Sequence, residues 1–230
     1  KVNETAEKLL ELSKEEGVKL RLKLVPENSI KNIDTSKFKV EEDRDNFDYI
    51  YEIPILAEFR GSSYQSHRNS VRQFLKKYKN WEVKMIDFSE IYNKNSIISL
   101  FTQWIKNKRD SLLTEEYKNE FLALNKLLSI ADPAKFDLIC FALYFDTNLI
   151  GFVINGHVNG YDIIHFEKAD THFKGCYNLL MQENAKILNS LIMEKLNFEQ
   201  DLGINSLRFT KTQFSPSGFL KKYLIIPQLA

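Results

Sequence analysis

The 230 residues carry 32 basic against 31 acidic side chains, a net charge of +1, with 43% apolar residues, which suits one large domain or one domain plus part of another. That balance excludes binding to nucleic acid or an anionic membrane through an overall field, so any basic contact is local. No apolar run approaches the roughly 20 residues of a bilayer crossing and no signal-peptide pattern opens the chain. Cys140 in an apolar run and Cys176 at a helix start are the two cysteines, a sparse usage that fits a reducing compartment, so a soluble, cytoplasmic protein is expected. The first residue is Lys1 rather than Met, which suggests that sequence is missing upstream.

In chain order, ETAEKLLELSKEEG predicts an amphipathic helix closed by Gly17, and VKLRLKLVP a half-buried strand. ENSIKNIDTSKF reads as a short helix or turn, and FKVEEDRDNFDYIYEI carries an acidic run into an aromatic strand. This first third has too little apolar mass for a core of its own and is expected to pack on something else. Tyr64, His67, Val71, Phe74, Leu75 and Tyr78 share one stripe of a helix from Ser62 to Tyr78, with Arg72, Lys76 and Lys77 mostly opposite. WEVKMID is a short strand, and SIISLFTQWIKNKRD and TEEYKNEFLALNKLLSIA are helices, the second stopped by Pro133. FDLICFALYF, LIGFVINGHV and YDIIHFEKA predict three consecutive antiparallel strands, because DTN is too short for a crossover and Gly160 permits a second tight reversal. A helix from about Gly175 to Lys195, a strand SLRFTK, a turn at Ser215 to Gly218 and the closing segment FLKKYLIIP follow. The pattern is α/β with a mixed sheet.

The chemistry-bearing residues each have a structural reading as well. His67 on an apolar stripe suits a buried histidine with one hydrogen bond as readily as a site. Arg68 and Arg72 followed by KKYK could track phosphates or form a solvated face. Gly175 could let amides meet an anion, or serve helix entry and close packing. Nucleotide-type glycine patterns and the two-glycine loop of acetyl-coenzyme A enzymes are absent, so coenzyme A is not signalled. His67, His157, His165 and His172 lack ligand spacing with the cysteines, so no metal site is expected. No nucleophile-elbow sequence is present. Strand alternation in YDIIHFEKA places Ile164 and Phe166 on one face and His165 and Glu167 on the other.

EDRDNFDYIYEIPILAEFRGSSYQSHRN, then HFEKAD, KGCYNLLMQENA, NFEQDLGINSLRFTK and FSPSGFLKKY, in that order and spacing, resemble the C-terminal domain of bacterial phosphatidylglycerol lysyltransferases and their soluble relatives. The resemblance implies an acetyltransferase-like mixed sheet flanked by helices, often built as two lobes in tandem. Residues 1–45 would then end a preceding lobe and residues 46–230 form the second. It also implies transfer of an aminoacyl group from charged tRNA, an activated donor that needs no metal or organic cofactor, to a lipid, peptide or small-molecule acceptor. The protein must position both partners, move a proton and stabilise an oxyanion.

On the resemblance, Glu167, Asp170 and Asp201 would anchor a cationic amino group, with Glu167, Asp170 and Lys211 as the catalytic set. Lys211 and Arg68 would meet the oxyanion or the tRNA end, and Tyr177, Asn178 and Gln182 would supply neutral hydrogen bonds. Tyr64 and His67 complete the expected substrate-binding group. His67 stands in YQSHRN, where the family usually has a lysine-rich stretch. HFEKAD would line the site at the carboxyl end of its strand. The alternatives are a non-catalytic ligand- or RNA-binding domain of the same fold and a coenzyme A-dependent acyltransferase.

Overall fold

The computed structural model of the protein describes residues 2–19, 21–107, 115–130 and 132–228. Residues 20, 108–110, 114 and 131, which the sequence places in expected elements, lie outside them. The chain forms α1 (Val2–Glu15), β1 (Leu22–Pro26), α2 (Glu27–Ile30), β2 (Phe38–Glu42), β3 (Asp48–Glu52) and α3 (Ile53–Glu58). Next come α4 (Gln65–Lys77), β4 (Trp81–Ile86), α5 (Ile91–Lys106), α6 (Glu115–Leu128), β5 (Leu138–Phe145) and β6 (Asn148–Val158). It ends with β7 (Tyr161–Ala169), α7 (Cys176–Ser190), β8 (Lys195–Asn197), α8 (Asn205–Gln213), β9 (Gly218–Leu220) and β10 (Lys222–Pro227). The result is a mixed α/β fold whose seven-stranded sheet runs β4-β5-β6-β7-β8-β3-β9. Among the described residues no helix is long and apolar enough to cross a membrane.

Two compact units divide the chain, Lys1–Ile50 with Glu199–Ala230, and Tyr51–Phe198. In the first unit, residues 199–230 come back to join residues 1–50. That return supplies the core that the first third lacks. β10 lies between β1 and β2, antiparallel to both, and Ile225 packs with Phe38 and Ala6 in a cluster closed by Leu10, Leu22, Val25 and Val40.

The second unit is built on the antiparallel meander β4-β5-β6-β7. The three runs expected to be consecutive antiparallel neighbours are β5, β6 and β7. Asn159 (φ 50) and Gly160 (φ 80) make the β6–β7 reversal, the two left-handed residues that a two-residue hairpin turn of matching twist requires. One face of the sheet, with Cys140, Phe152 and Ile154, meets Ile97, Leu100 and Phe101 of α5 and Leu124 and Leu128 of α6. The other face meets α7. There a Cβ on Gly151 would come within 3.3 Å of Leu180, and Asn155 donates to Asn184 Oδ1 at 2.8 Å, with Asn184 returning a bond at 3.4 Å. Both side chains are buried, and a mutually satisfied amide pair avoids the penalty of an orphaned polar group.

A bulge corrects the expected alternation of β7. Ile154 pairs with Phe166 while Asn155 pairs with Ile164, leaving His165 as the extra residue. Directly opposed residues share a face, so Ile164 and Glu167 lie on the α7 face and Phe166 on the α5 face. His165 lies over Gly156, with Nε2 2.6 Å from where a Cβ would stand. Gly156 opposes Leu138 of the α5-side core, so His165 shares the face of Phe166 instead of that of Glu167. One inserted residue resets a period of two, which no strand pattern anticipates.

Candidate functional site

The site is assembled where β7 parts from its parallel neighbour. β7 pairs with β8 only over Tyr161–Ile163 against Lys195–Asn197, and runs on to Ala169. The Asp170 N–H turns back to Ile150 O at 2.8 Å, so the Ala169 N–H, one residue earlier, points to the opposite edge, the one β8 has left. The Ala169 N–H and the Trp104 indole both act on the Tyr177 phenol, favouring its charged form. Tyr177 comes from α7 and Trp104 from α5, helices on opposite faces of the sheet, and they meet over the end of β7. Burial pushes the Tyr177 phenol up, and the negative charge of Glu167 adds to the shift.

The loop between β7 and α7 is held by Asp170. Its carboxylate accepts the His172 N–H at 3.0 Å and Gln103 Nε2 at 3.0 Å, and meets His172 Nδ1 at 2.8 Å. Lys168 turns to the other face, where it pairs with Glu120 at 2.6 Å and lies 4.4 Å from the Trp104 ring centroid. The two neighbours Glu167 and Lys168 therefore point apart, because successive strand residues alternate.

At the α7 start, Gly175 adopts φ 88, and a Cβ there would stand 2.6 Å from the Ser70 carbonyl oxygen. Close helix packing, one of the readings open in the sequence, is seen here. This approach lets His67 Nδ1 donate to Asn178 Oδ1 at 2.5 Å. His67 and Tyr64 are both buried. The Phe59 and Tyr64 rings stack at 5.5 Å, with His67 5.4 Å from Phe59 and 5.8 Å from Tyr64. Burial alone pushes the Tyr64 phenol up to about 12. Arg68 donates to the carbonyls of Phe59 and Gly61, the second at 2.7 Å, and so braces a loop in which Phe59 is left-handed (φ 47). Gln182 sits half-buried one turn beyond Asn178.

The expected residues thus gather in parts. Glu167, Asp170 and Tyr177 collect at the end of β7, while Tyr64, His67, Arg68 and Asn178 join the starts of α4 and α7. Asp201 and Lys211 belong to the other unit. Lys211 is buried on helix α8, not at the end of a strand. SLRFTK offers an alternation of Leu207, Phe209 and Lys211, but Leu207 and Phe209 are exposed and the lysine is buried, so the two-residue period was accidental. Asp201 is fully buried and occupied by its own chain: Tyr49 donates at 2.6 Å, Arg208 at 2.9 and 3.0 Å, and the Gly203 N–H at 2.9 Å. Burial opposes its charge, but these bonds from Arg208, Tyr49 and Gly203 overcome the penalty and hold its carboxyl at about 2. Trp104 and Gln103 escaped the sequence reading, since at the end of α5 they look like ordinary stripe and face residues.

Three comparisons place this geometry. A conserved protein of unknown function from Bacteroides thetaiotaomicron superposes with a TM-score of 0.85 at 26% identity, over 98% of this chain and 75% of that one. The structure of L-PGS from Bacillus licheniformis superposes at 0.62 with 13% identity, over 96% of this chain and 71% of that chain. An uncharacterised protein of Mycoplasmoides gallisepticum is 25% identical over 195 residues, 83% of this chain, and the chain spans 59% of that relative's length. The family described as "Phosphatidylglycerol lysyltransferase, C-terminal" matches residues 1–226, and the chain belongs to that family.

Proposed function

We propose that the protein is an aminoacyltransferase that takes its acyl group from a charged tRNA and passes it to a hydroxyl or amine acceptor in the bacterial cytoplasm. The observation that carries the reading is the match of the lysyltransferase C-terminal family over residues 1–226, joined to a cluster of Glu167, Asp170 and Tyr177 where β7 opens away from β8. An ester-linked donor is already activated, so the work left to the protein is positioning, proton transfer and charge stabilisation. Glu167, on the sheltered face beside Tyr177, is the group we assign to accept the acceptor's proton or to pair with the donor's amino group. Asp170 positions the loop through His172 and Gln103. Arg72, Lys76 and Lys77 on the exposed side of α4 are candidates for phosphate contacts of the tRNA. No organic cofactor enters this reaction.

The test is product formation from each charged tRNA with the intact chain and with Glu167→Gln, beside melting curves for both. Transfer by the wild type that collapses in the variant, with melting retained, supports the assignment. A removed charge partner in a sheltered site is worth about 1–3 kcal/mol. Stabilisation of the protein by coenzyme A, with no turnover of any charged tRNA, would move the donor to a coenzyme A thioester.

A further inference from the structure

β4 is the edge strand of the seven-stranded sheet, with β5 on one side and no strand on the other among the described residues. The Asp146 N–H donates to the Asn80 carbonyl at 2.7 Å, one position before the Trp81–Phe145 pair, so Asn80 turns its hydrogen-bonding groups to β5. Those groups alternate in direction along an antiparallel strand. Glu82, Lys84 and Ile86 therefore also bond toward β5, while Trp81, Val83 and Met85 turn their N–H and C=O groups to the open edge. Edge strands are commonly blunted by a proline, a bulge or an unmatched charge. β4 has none of these: its six residues pair with β5 without a shift in register, and Lys84 is matched by Glu82, 2.6 Å away on the same face. Met85 is 70% exposed, and Ile91 and Tyr92 in the first turn of α5, just beyond the strand, are exposed as well.

We infer that β4 is a homodimer interface, joined edge to edge with β4 of a second copy of this chain about a two-fold axis at Val83. The inference is independent of the transferase reading. In an antiparallel pair of identical strands, only registers that oppose outward-facing residues can form the ladder. An axis at Glu82 sets glutamate against glutamate, and an axis at Lys84 sets lysine against lysine. With the axis at Val83, Glu82 of each copy meets the partner's Lys84, and opposite charges directly across a strand pair attract where like charges repel. This is also the register in which every outward-facing residue of β4 finds a partner. Val83 exchanges both bonds with its own symmetry mate, and Trp81 does so with the partner's Met85, as a two-fold interface requires. The tryptophan and methionine side chains then lie side by side on the face opposite the charges, a favourable sulfur–aromatic contact. One strand thus carries main-chain, charge and apolar complementarity to itself, which is what singles out a second copy as the occupant.

The test is sedimentation velocity of the intact chain over a range of concentrations, beside Glu82→Lys, Lys84→Glu and the chain with both changes. Both side chains are exposed, so folding should be retained, and melting curves check it. The wild type is expected to pass from monomer to dimer as its concentration rises. Each single variant sets like charges against one another on both sides of the axis and should weaken dimerisation at least about tenfold. The double variant exchanges the two signs and should dimerise as the wild type does. The two single variants, mixed, should form the heterodimer, since each then meets the opposite charge. Hydrogen exchange of the Trp81, Val83 and Met85 amides should slow as concentration rises. A wild type that is monomeric at every concentration overturns the inference, as do single variants that dimerise like the wild type or a mixture that stays apart. Protection of these amides at every concentration, without a dimer, would mean that another segment covers the edge, and overturns it too.

Discussion

His67 Nδ1 and Asn178 Oδ1 stand 2.5 Å apart and tie the first turn of α4 to the first turn of α7. The Asn178 oxygen is only an acceptor, so the imidazole carries its proton on Nδ1. His67 is buried beneath Phe59 and Tyr64, which makes this bond a joint between helices.

A double-mutant cycle measures that joint. His67→Phe and Asn178→Ala are each expected to destabilise by about 1–3 kcal/mol, and the pair to lose about 0.5–1.5 kcal/mol less than the sum. Denaturant unfolding of the four proteins gives the coupling, and strict additivity would show that the two side chains do not support one another.

Gly175→Ala tests the close approach of α4 and α7. A Cβ there meets the Ser70 carbonyl at 2.6 Å, whereas one at Gly160 (φ 80) meets nothing within 4 Å. Both substitutions carry the left-handed penalty of about 1 kcal/mol, so Gly175→Ala should exceed Gly160→Ala by at least about 1 kcal/mol in unfolding free energy. Equal losses would remove the helix contact as the cause.

Asp201 sets an acid limit on stability. Its folded carboxyl lies at about 2, below the ordinary aspartate range, so its contribution is complete above the unfolded value and is lost as pH falls through the folded one. The shift corresponds to about 2 kcal/mol. Melting of the wild type should drop between about pH 4 and pH 2 by more than melting of Asp201→Asn, which starts lower at neutral pH. Parallel curves would assign acid sensitivity to other carboxylates.

Asp162 has the opposite sign. It is buried, its Oδ2 has no hydrogen-bond partner among the described residues, and His157 Nδ1 stands 3.7 Å from Oδ1. Burial raises its carboxyl and the nearby His157 only partly opposes this. A raised acid is better tolerated protonated, so stability is present below the unfolded value and falls as pH rises through the folded one. Asp162→Asn should therefore raise the melting temperature at neutral pH, and the gain should vanish in acid. A variant that melts lower at pH 7 would mean that the charged form is satisfied.

Local period and turn chemistry made much of the second unit legible. The α4 stripe of Tyr64, His67, Val71 and Phe74 is buried as its spacing implies, and Asn159-Gly160 announces the β6–β7 hairpin. These features depend on neighbours within a few residues, which is the range over which side-chain pattern speaks. The position of Glu167 at the end of β7, on the face away from Phe166, was readable for the same reason.

What required the tertiary structure was every relation between distant segments. β10 completes a core with α1 and β2 from the far end of the chain, and three residues of β8 at Lys195–Asn197 are too few to carry a period. The bulge at His165 depends on the register of β6, and the helix α8 overrides an alternation that occurred by chance. Asp201 reads as a lone acid in DLG, yet Tyr49, which donates to it beside Arg208, lies 152 residues away in the chain. Hydrogen-bond saturation is a property of three-dimensional neighbours, and sequence spacing carries no record of it.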